Sequence, residues 1–261
     1  MNKDKDKDKD KEYVTVNLIV IGPSQVGKTS IIQRFVGNTF NYDNYDRTIG
    51  VDLSINTIKM KNIGNELKTM DCKIRIWDTS GLDCFKSIIS NYLQKIDGIM
   101  LVYDISDRKS LTELKNWHKW LQTVLPDYSK KSIVIVGNKN DLYKERQVFE
   151  SEVKEWIESY MPMLSNHNSI ECTEVCSKNN VNIFSVFMNL SKNILEKRYG
   201  RNTTNNDNNE FSDNALLVQD NSTKNINNTH TNTNTKGKWY KILAFFKKIC
   251  NIKIHNSLDD E

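Results

Sequence analysis

The chain has 261 residues, a length that suits one large domain or one domain with tails. Hydrophobic residues make up only 38%, so part of the chain does not pack into a core, and with ten Gly and three Pro it is neither collagen-like nor a Pro-rich fibre. The formal net charge of +4 (37 basic against 33 acidic residues) is too small to argue for nucleic-acid binding. There is no run of about 18 apolar residues to span a membrane. The first residues lack the apolar stretch of a secretory leader.

Composition shifts divide the chain into four parts. Residues 1–11 repeat Lys and Asp, with nothing apolar to bury, and read as a solvated, disordered tail. Residues 12–200 carry the regular apolar runs. Residues 201–235 are rich in Asn and Thr and read as a flexible linker, because burial cannot offset their ordering entropy. Residues 236–261 turn basic and aromatic before an acidic end.

Within 12–200, Val14–Ile21 is an apolar, β-branched run that reads as a strand, and Ser30–Val36 is helical. Val51–Met60 and Cys72–Trp77 read as strands separated by a polar hairpin, Lys61–Asp71. Gly98–Asp104 is a buried strand. Ser110–Leu125 places Leu111, Leu114, Trp117, Leu121 and Val124 at helical spacing. Ser132–Gly137 is the most continuous strand, and Glu150–Tyr160 and Asn180–Tyr199 are helical with strand Ser169–Thr173 between them. Near-continuous apolar strands alternating with helices imply a mostly parallel sheet covered on both faces, with ligands at the carboxyl ends of its strands.

The first strand runs into Gly22-Pro23-Ser24-Gln25-Val26-Gly27-Lys28-Thr29, followed at once by Ser30 and a helix. This is G-x4-G-K-[ST] in the strand–loop–helix context of a phosphate-binding P-loop. Gly22 and Gly27 let backbone N–H groups curl toward phosphate oxygens, and the helix adds its positive dipole end. Lys28 brings a full charge to the phosphates, and Thr29 offers a hard oxygen to Mg2+. A P-loop alone does not choose the base. Asn138-Lys139-Asn140-Asp141, after the strand ending at Gly137, does. The Asp141 carboxylate can accept from the N1–H and the exocyclic amine of guanine, whereas adenine would leave it unpaired. Lys139 can lay its stem along the base, and Asn138 can tie this loop to the P-loop.

This ordered set resembles a small GTPase of the Ras superfamily, most closely the Rab branch, over about residues 13–199. The resemblance also covers Thr48-Ile49-Gly50-Val51-Asp52-Leu53, like the Rab switch I segment, and Lys73-Ile74-Arg75-Ile76-Trp77-Asp78-Thr79, like the strand entering switch II. Phe85–Ile88 and Leu101–Ile105 match two further Rab-typical stretches. Glu174-Val175-Cys176-Ser177-Lys178 is similar to the E-x-S-A-K loop. The resemblance implies a P-loop small GTPase fold with a six-stranded sheet and five helices, GTP/GDP and Mg2+ as ligands, and a switch in vesicle traffic. It implies that Thr48 completes the Mg2+ shell, Asp78 holds a metal-bound water, Gly81 donates its N–H to the γ-phosphate and Phe40 lies against the guanine. Cys176, Ser177 and Lys178 would support the base, Ser177 through its backbone N–H. Effectors would meet switch I and II, with an exchange factor and a GTPase-activating protein as further partners.

Four departures matter. Where the family carries the Gln that orients the attacking water, this chain has Leu82, whose isobutyl group has no donor or acceptor. The loss of one such contact corresponds to a rate deficit of roughly ten- to a thousandfold. A slow GTPase is therefore expected, or alternatively a GTP-locked membrane scaffold. Gln25 stands where the family often has Gly; its side chain either obstructs an incoming arginine finger or replaces the missing amide. Thr48 lies twenty residues after Lys28, one more than is usual, so the preceding loop is expected to bulge. Finally, the end of the chain shows no prenylation motif, and Lys236–Ile254 would form a basic amphipathic helix with Cys250 as a lipidation candidate. That segment suits an anionic membrane surface or a protein partner. The expected location is cytoplasmic and peripheral on an internal membrane. The five cysteines, an odd number spread widely, are expected to be reduced.

Overall fold

The computed structural model describes residues 13–40, 47–63, 66–161 and 170–200, with no side-chain description for 61–68. The tail 1–11, the linker 201–235 and the segment 236–261 with Cys250 lie outside the described residues. The chain divides into units Met1–Thr203 and Thr204–Glu261, and all described residues fall in the first.

Six strands form one sheet: β1 (Tyr13–Ile21), β2 (Val51–Ile63), β3 (Glu66–Thr79), β4 (Gly98–Asp104), β5 (Ser132–Asn138) and β6 (Glu171–Glu174). Their order is β2-β3-β1-β4-β5-β6. Only the β2–β3 pair is antiparallel. Five helices cover the faces among the described residues: α1 (Lys28–Gly37), α2 (Lys86–Leu93), α3 (Arg108–Val124), α4 (Glu150–Tyr160) and α5 (Ile183–Tyr199). The α/β architecture with a mostly parallel sheet is thus the one expected.

Every residue of β4 and β5 is buried, which explains why both are apolar without alternation. On one face Phe35 of α1 stacks on Phe187 of α5 with ring centroids 4.1 Å apart, over Val16, Leu18, Val20, Met100 and Val134. In α3, Leu111, Leu114, Trp117 and Leu121 are buried as the spacing predicts, while Val124 in the last turn is exposed. The parallel register brings the strand ends together: Val20 lies beside Asp78, Asp104 beside Asn138, and Gly137 beside Glu174. That edge carries the site.

Some boundaries differ from the sequence reading. The hairpin Lys61–Asp71 is not a loop; pairing continues through Lys59–Asp71, Met60–Met70 and Lys61–Thr69, with an irregularity before Ile63–Glu66. Backbone ladders need no apolar side chains to propagate, so polarity misleads there. Helix α2 gives little sequence signal, because its Ser and β-branched Ile residues are weak helix formers; burial of Ile89 and Leu93 holds it. The last helix starts at Ile183 and not at Asn180, because Asn180 and Asn182 take left-handed φ of 57° and 59° and Val181 pairs with Cys176. Ser169 lies outside the described residues. Cys72, Cys172 and Cys176 are free thiols, and Cys250 lies outside the described residues. No helix among the described residues is long and apolar enough to cross a membrane.

Candidate nucleotide site

Residues 22–29 connect β1 to α1 as a tight loop. A Cβ on Gly22 would collide with the Val102 carbonyl of β4, so only Gly lets the loop leave the sheet there. Gly27 has φ 92°, and a Cβ on it would strike the Asn138 amide. Val26 is buried, while Ser24 and Ser30 are partly exposed along the loop and first turn. Gln25 is exposed and held at φ 69°, a left-handed conformation unusual for a residue with a side chain. Lys28 is buried and its Nζ donates to the carbonyls of Gly22 (2.9 Å) and Pro23 (2.6 Å). Burial lowers its pKa to about 8, against the pull of Asp78 in the other direction. A buried ammonium resting on neutral carbonyls at the start of a helix could receive phosphate oxygens.

Beside it three side-chain oxygens converge. Thr29 Oγ1 lies 2.8 Å from Thr48 Oγ1 and donates to Asp78 Oδ2 at 2.7 Å; Thr48 Oγ1 reaches the same Oδ2 at 3.4 Å. Asp78 Oδ1 is buried with no hydrogen-bond partner among the described residues. Burial pushes this carboxyl up, opposed by the Thr29 hydroxyl and by Lys28. Two hydroxyls and an under-satisfied carboxylate are the hard-oxygen set that suits Mg2+. Thr48 meets Thr29 and Asp78 across the twenty-residue spacing from Lys28; the bulge expected in the preceding loop falls partly on residues 41–46, outside the described set. The residues after β3 meet both neighbouring loops: Ser80 N–H donates to Gly50 O at 2.9 Å, just before β2, and a Cβ on Gly81 would collide with Pro23 and the Ser24 N–H of the P-loop.

At the other end, Asn138 is fully buried. Its Nδ2 donates to Val26 O (2.9 Å) and Ser177 Oγ (3.3 Å), and its Oδ1 accepts from Ser177 N–H (3.2 Å). One amide thus ties together the P-loop and the two loops that follow β5 and β6. Cys176 donates its thiol to Asp141 Oδ1 at 3.1 Å, and Lys178 Nζ lies 3.7 Å from Asp141 Oδ2. Lys139 takes φ 66° and its ammonium pairs with Asp104 at 2.6 Å, which fixes the run of its stem. Phe40 is partly exposed, with the Arg34 guanidinium 5.4 Å from its ring centroid.

A Ras family model matches residues 17–196. Ras-related protein Rab-13 of Mesocricetus auratus is 33% identical over 188 residues, covering 72% of this chain and 84% of the relative. GTP-binding protein ypt1 of Schizosaccharomyces pombe is 34% identical over 188 residues (71% and 82%), and Ras-related protein RabC of Dictyostelium discoideum 33% over 183 (70% and 85%). The chain belongs to the Ras family. It is a Rab-like small GTPase, and so a GTP-hydrolysing switch protein. In this GTPase the position after Gly81 is Leu82, partly exposed, and Asp83 beyond it pairs outward with Lys86 at 2.8 Å.

The motifs did not reveal the groups that hold the recognition loops. Arg146 forks onto Glu174 (2.5 and 2.8 Å) and reaches Asn140 Oδ1 at 3.4 Å, joining the two base loops. Asp104 and Arg34 are the others. Asp104 could have been suspected as an acid ending a buried strand beside the motif; Arg34 reads in sequence as an ordinary helix-end cation.

Proposed function

We propose that this chain is a guanine-nucleotide switch of Rab type that regulates vesicle traffic, binds GTP and GDP with Mg2+, and hydrolyses GTP slowly. The observation that supports it most is the meeting of Thr48 with Thr29 and Asp78, which joins switch I, the P-loop and the entry of switch II at one point. A γ-phosphate there would hold Thr48 and Gly81 together, and its loss would release them. Bound Mg2+ would supply positive charge against the phosphate oxygens. Thr29 and Thr48 would hold it directly and Asp78 through a water. Lys28 would give up its two carbonyl contacts for the phosphates and stabilise the charge that spreads as water attacks in line. Asp141 would accept from the guanine N1–H and amine, and Ser177 N–H would leave Asn138 Oδ1 to donate to the base. Leu82 gives the attacking water nothing to lean on.

Ile49, Leu53 and Ile55 are exposed along switch I and β2, and such an apolar strip suits effector binding. An exchange factor and an activator are the remaining partners under this reading. Segment 236–254 would attach the switch to an anionic membrane surface, with Cys250 as the acylation candidate. The full chain, but not one ending at residue 200, should then co-sediment with anionic vesicles; equal pelleting would remove the membrane role and leave a protein partner for that segment.

Leu82 also favours a second reading, a GTP-locked scaffold that does not hydrolyse. Single-turnover hydrolysis of preloaded GTP by the parent and by Leu82→Gln separates the two. Slow turnover in the parent, raised roughly tenfold or more in the variant, supports the slow GTPase. Absence of any turnover in the parent, with recovery in the variant, supports the scaffold. Equal rates in both would show that another group positions the water, with Gln25 the first to replace.

A further inference from the structure

Arg34 sits in the last turn of α1, where a cation ordinarily serves the helix end. One of its bonds does that: Nη1 donates to Asn38 O at 2.9 Å. The other two leave the helix altogether. Nε donates to Ser177 O at 2.7 Å and Nη2 to Lys178 O at 2.6 Å, 143 and 144 residues further along the chain. Three carbonyls therefore share one planar fork, and its face lies 5.4 Å from the Phe40 ring centroid. Asn180 adds a parallel tie, its Nδ2 donating to Asn38 Oδ1 at 2.9 Å.

The consequence concerns the Ser177 N–H. Buried Asn138 holds Ser177 from one side through its N–H and hydroxyl. Arg34 holds the two following carbonyls from the other side. A loop of this kind keeps its peptide planes fixed only when both sides are pinned, and α1 is the element that carries Lys28 and Thr29 at its opposite end. We propose that Arg34 is a positioning residue for base recognition: it fixes the Ser177–Lys178 loop in register with α1 and Phe40, and thereby sets how long guanine nucleotide stays bound. This rests on reading the site as a guanine-nucleotide site. Arg34 touches no nucleotide atom in this scheme; it acts through the Ser177 N–H, which would leave Asn138 Oδ1 for the C6 oxygen of guanine while the Ser177 hydroxyl keeps its contact with Asn138 Nδ2, and to a lesser degree through Phe40.

The test is the dissociation rate of two ribose-labelled fluorescent nucleotides from the full chain, each variant compared with the parent for the same nucleotide: GDP, and the diphosphate of 2-aminopurine riboside, which lacks the C6 oxygen and with it the N1–H. Arg34→Ala should release GDP about ten- to a hundredfold faster, the range for losing charge-assisted bonds. The analogue should leave only about two- to fivefold faster, the part carried by the cation–π contact with Phe40. Arg34→Lys keeps the charge and removes the fork; it guards against a folding failure in the alanine variant and should fall between it and the parent. A general loosening of the fold would accelerate both nucleotides alike, so equal factors would overturn the proposal. So would a GDP rate unchanged in Arg34→Ala or in Arg34→Lys. If the parent chain retains no labelled GDP, the nucleotide reading fails first and takes this inference with it.

Discussion

The two ends of the nucleotide site are built differently. At the base end each recognition residue is held by others: Asn138 by Val26 and Ser177, Lys139 by Asp104, Asn140 by Arg146 and through it Glu174, Asp141 by Cys176. At the phosphate end the three oxygens proposed to hold Mg2+ converge equally well, but the groups that would surround an attacking water do not. Leu82 offers no polar atom, Asp83 turns toward Lys86, and Gln25 is exposed on strained backbone. Binding and hydrolysis are separable demands on one fold, and on the proposed reading this chain would meet the first more fully than the second. Under the proposed function, a protein so arranged would hold its ligand firmly and convert it slowly.

The largest effect that would break this comparison is at Asp141. Asp141→Asn replaces an acceptor with an amide that cannot take both guanine donors and leaves one of them unpaired. GDP affinity should fall about a hundred- to a thousandfold, equivalent to roughly 3–4 kcal/mol. Xanthine diphosphate, which presents an oxygen in place of the amine, should gain. Competition binding of the two nucleotides measures both, and an unchanged preference for guanine would show that the base end is not governed by this carboxylate.

Next is the support behind it. Glu174→Gln leaves the Arg146 fork facing a neutral amide in a largely buried position, with pair exposures of 18% and 14%. A loss of about 2 kcal/mol is expected, below the full cost of an orphaned buried charge because Gln keeps one acceptor. It should appear as weaker GDP binding, by calorimetry, with no change in the ratio of hydrolysis rates between the parent and Leu82→Gln backgrounds. A change in that ratio would mean the two ends are coupled.

A control that should touch neither end lies between α3 and α4. His118 is buried against Tyr128 and Trp156, its Nδ1 2.8 Å from the Tyr128 hydroxyl, and burial first, then Lys119, lowers its pKa to about 4. The unfolded chain binds this proton near pH 6.5 and the folded chain does not, so stability is full above about pH 6.5. It declines as pH falls toward 4, and below that the group adds no further change. Urea denaturation at pH 7 and pH 5 should show about 1–2 kcal/mol more loss in the parent than in His118→Gln. Nucleotide preference should not follow it.

The base and phosphate motifs were legible in the sequence because they are runs of adjacent residues whose chemistry is fixed by type and order: Gly22 to Thr29, and Asn138 to Asp141. Sheet strands β4 and β5 were legible because burial on both faces demands unbroken apolar runs. Less was visible wherever function depends on residues distant in sequence. Nothing around Arg34 announces that it will meet Ser177, and nothing around Arg146 announces Glu174. The hairpin 61–71 and helix α2 were obscured for another reason, since backbone pairing in one and two buried side chains in the other outweighed weak local preference.

The smallest effect sharpens the comparison at the phosphate end. Gln25 keeps φ 69° where Gly would adopt it freely, and the left-handed region costs a residue with a Cβ about 1 kcal/mol. Because Gln25 is exposed, Gln25→Gly removes no buried packing. The variant should therefore gain up to about 1 kcal/mol in stability, less whatever Gly adds to the entropy of the unfolded chain. If the side chain only obstructs an activator's arginine, stimulated hydrolysis should rise while the intrinsic rate stays level. If the amide helps to place the water in the absence of a switch II Gln, the intrinsic rate should fall. A stabilised protein with a slower intrinsic rate would mean that the strain at Gln25 is retained for catalysis, and that the phosphate end is less depleted than Leu82 alone suggests.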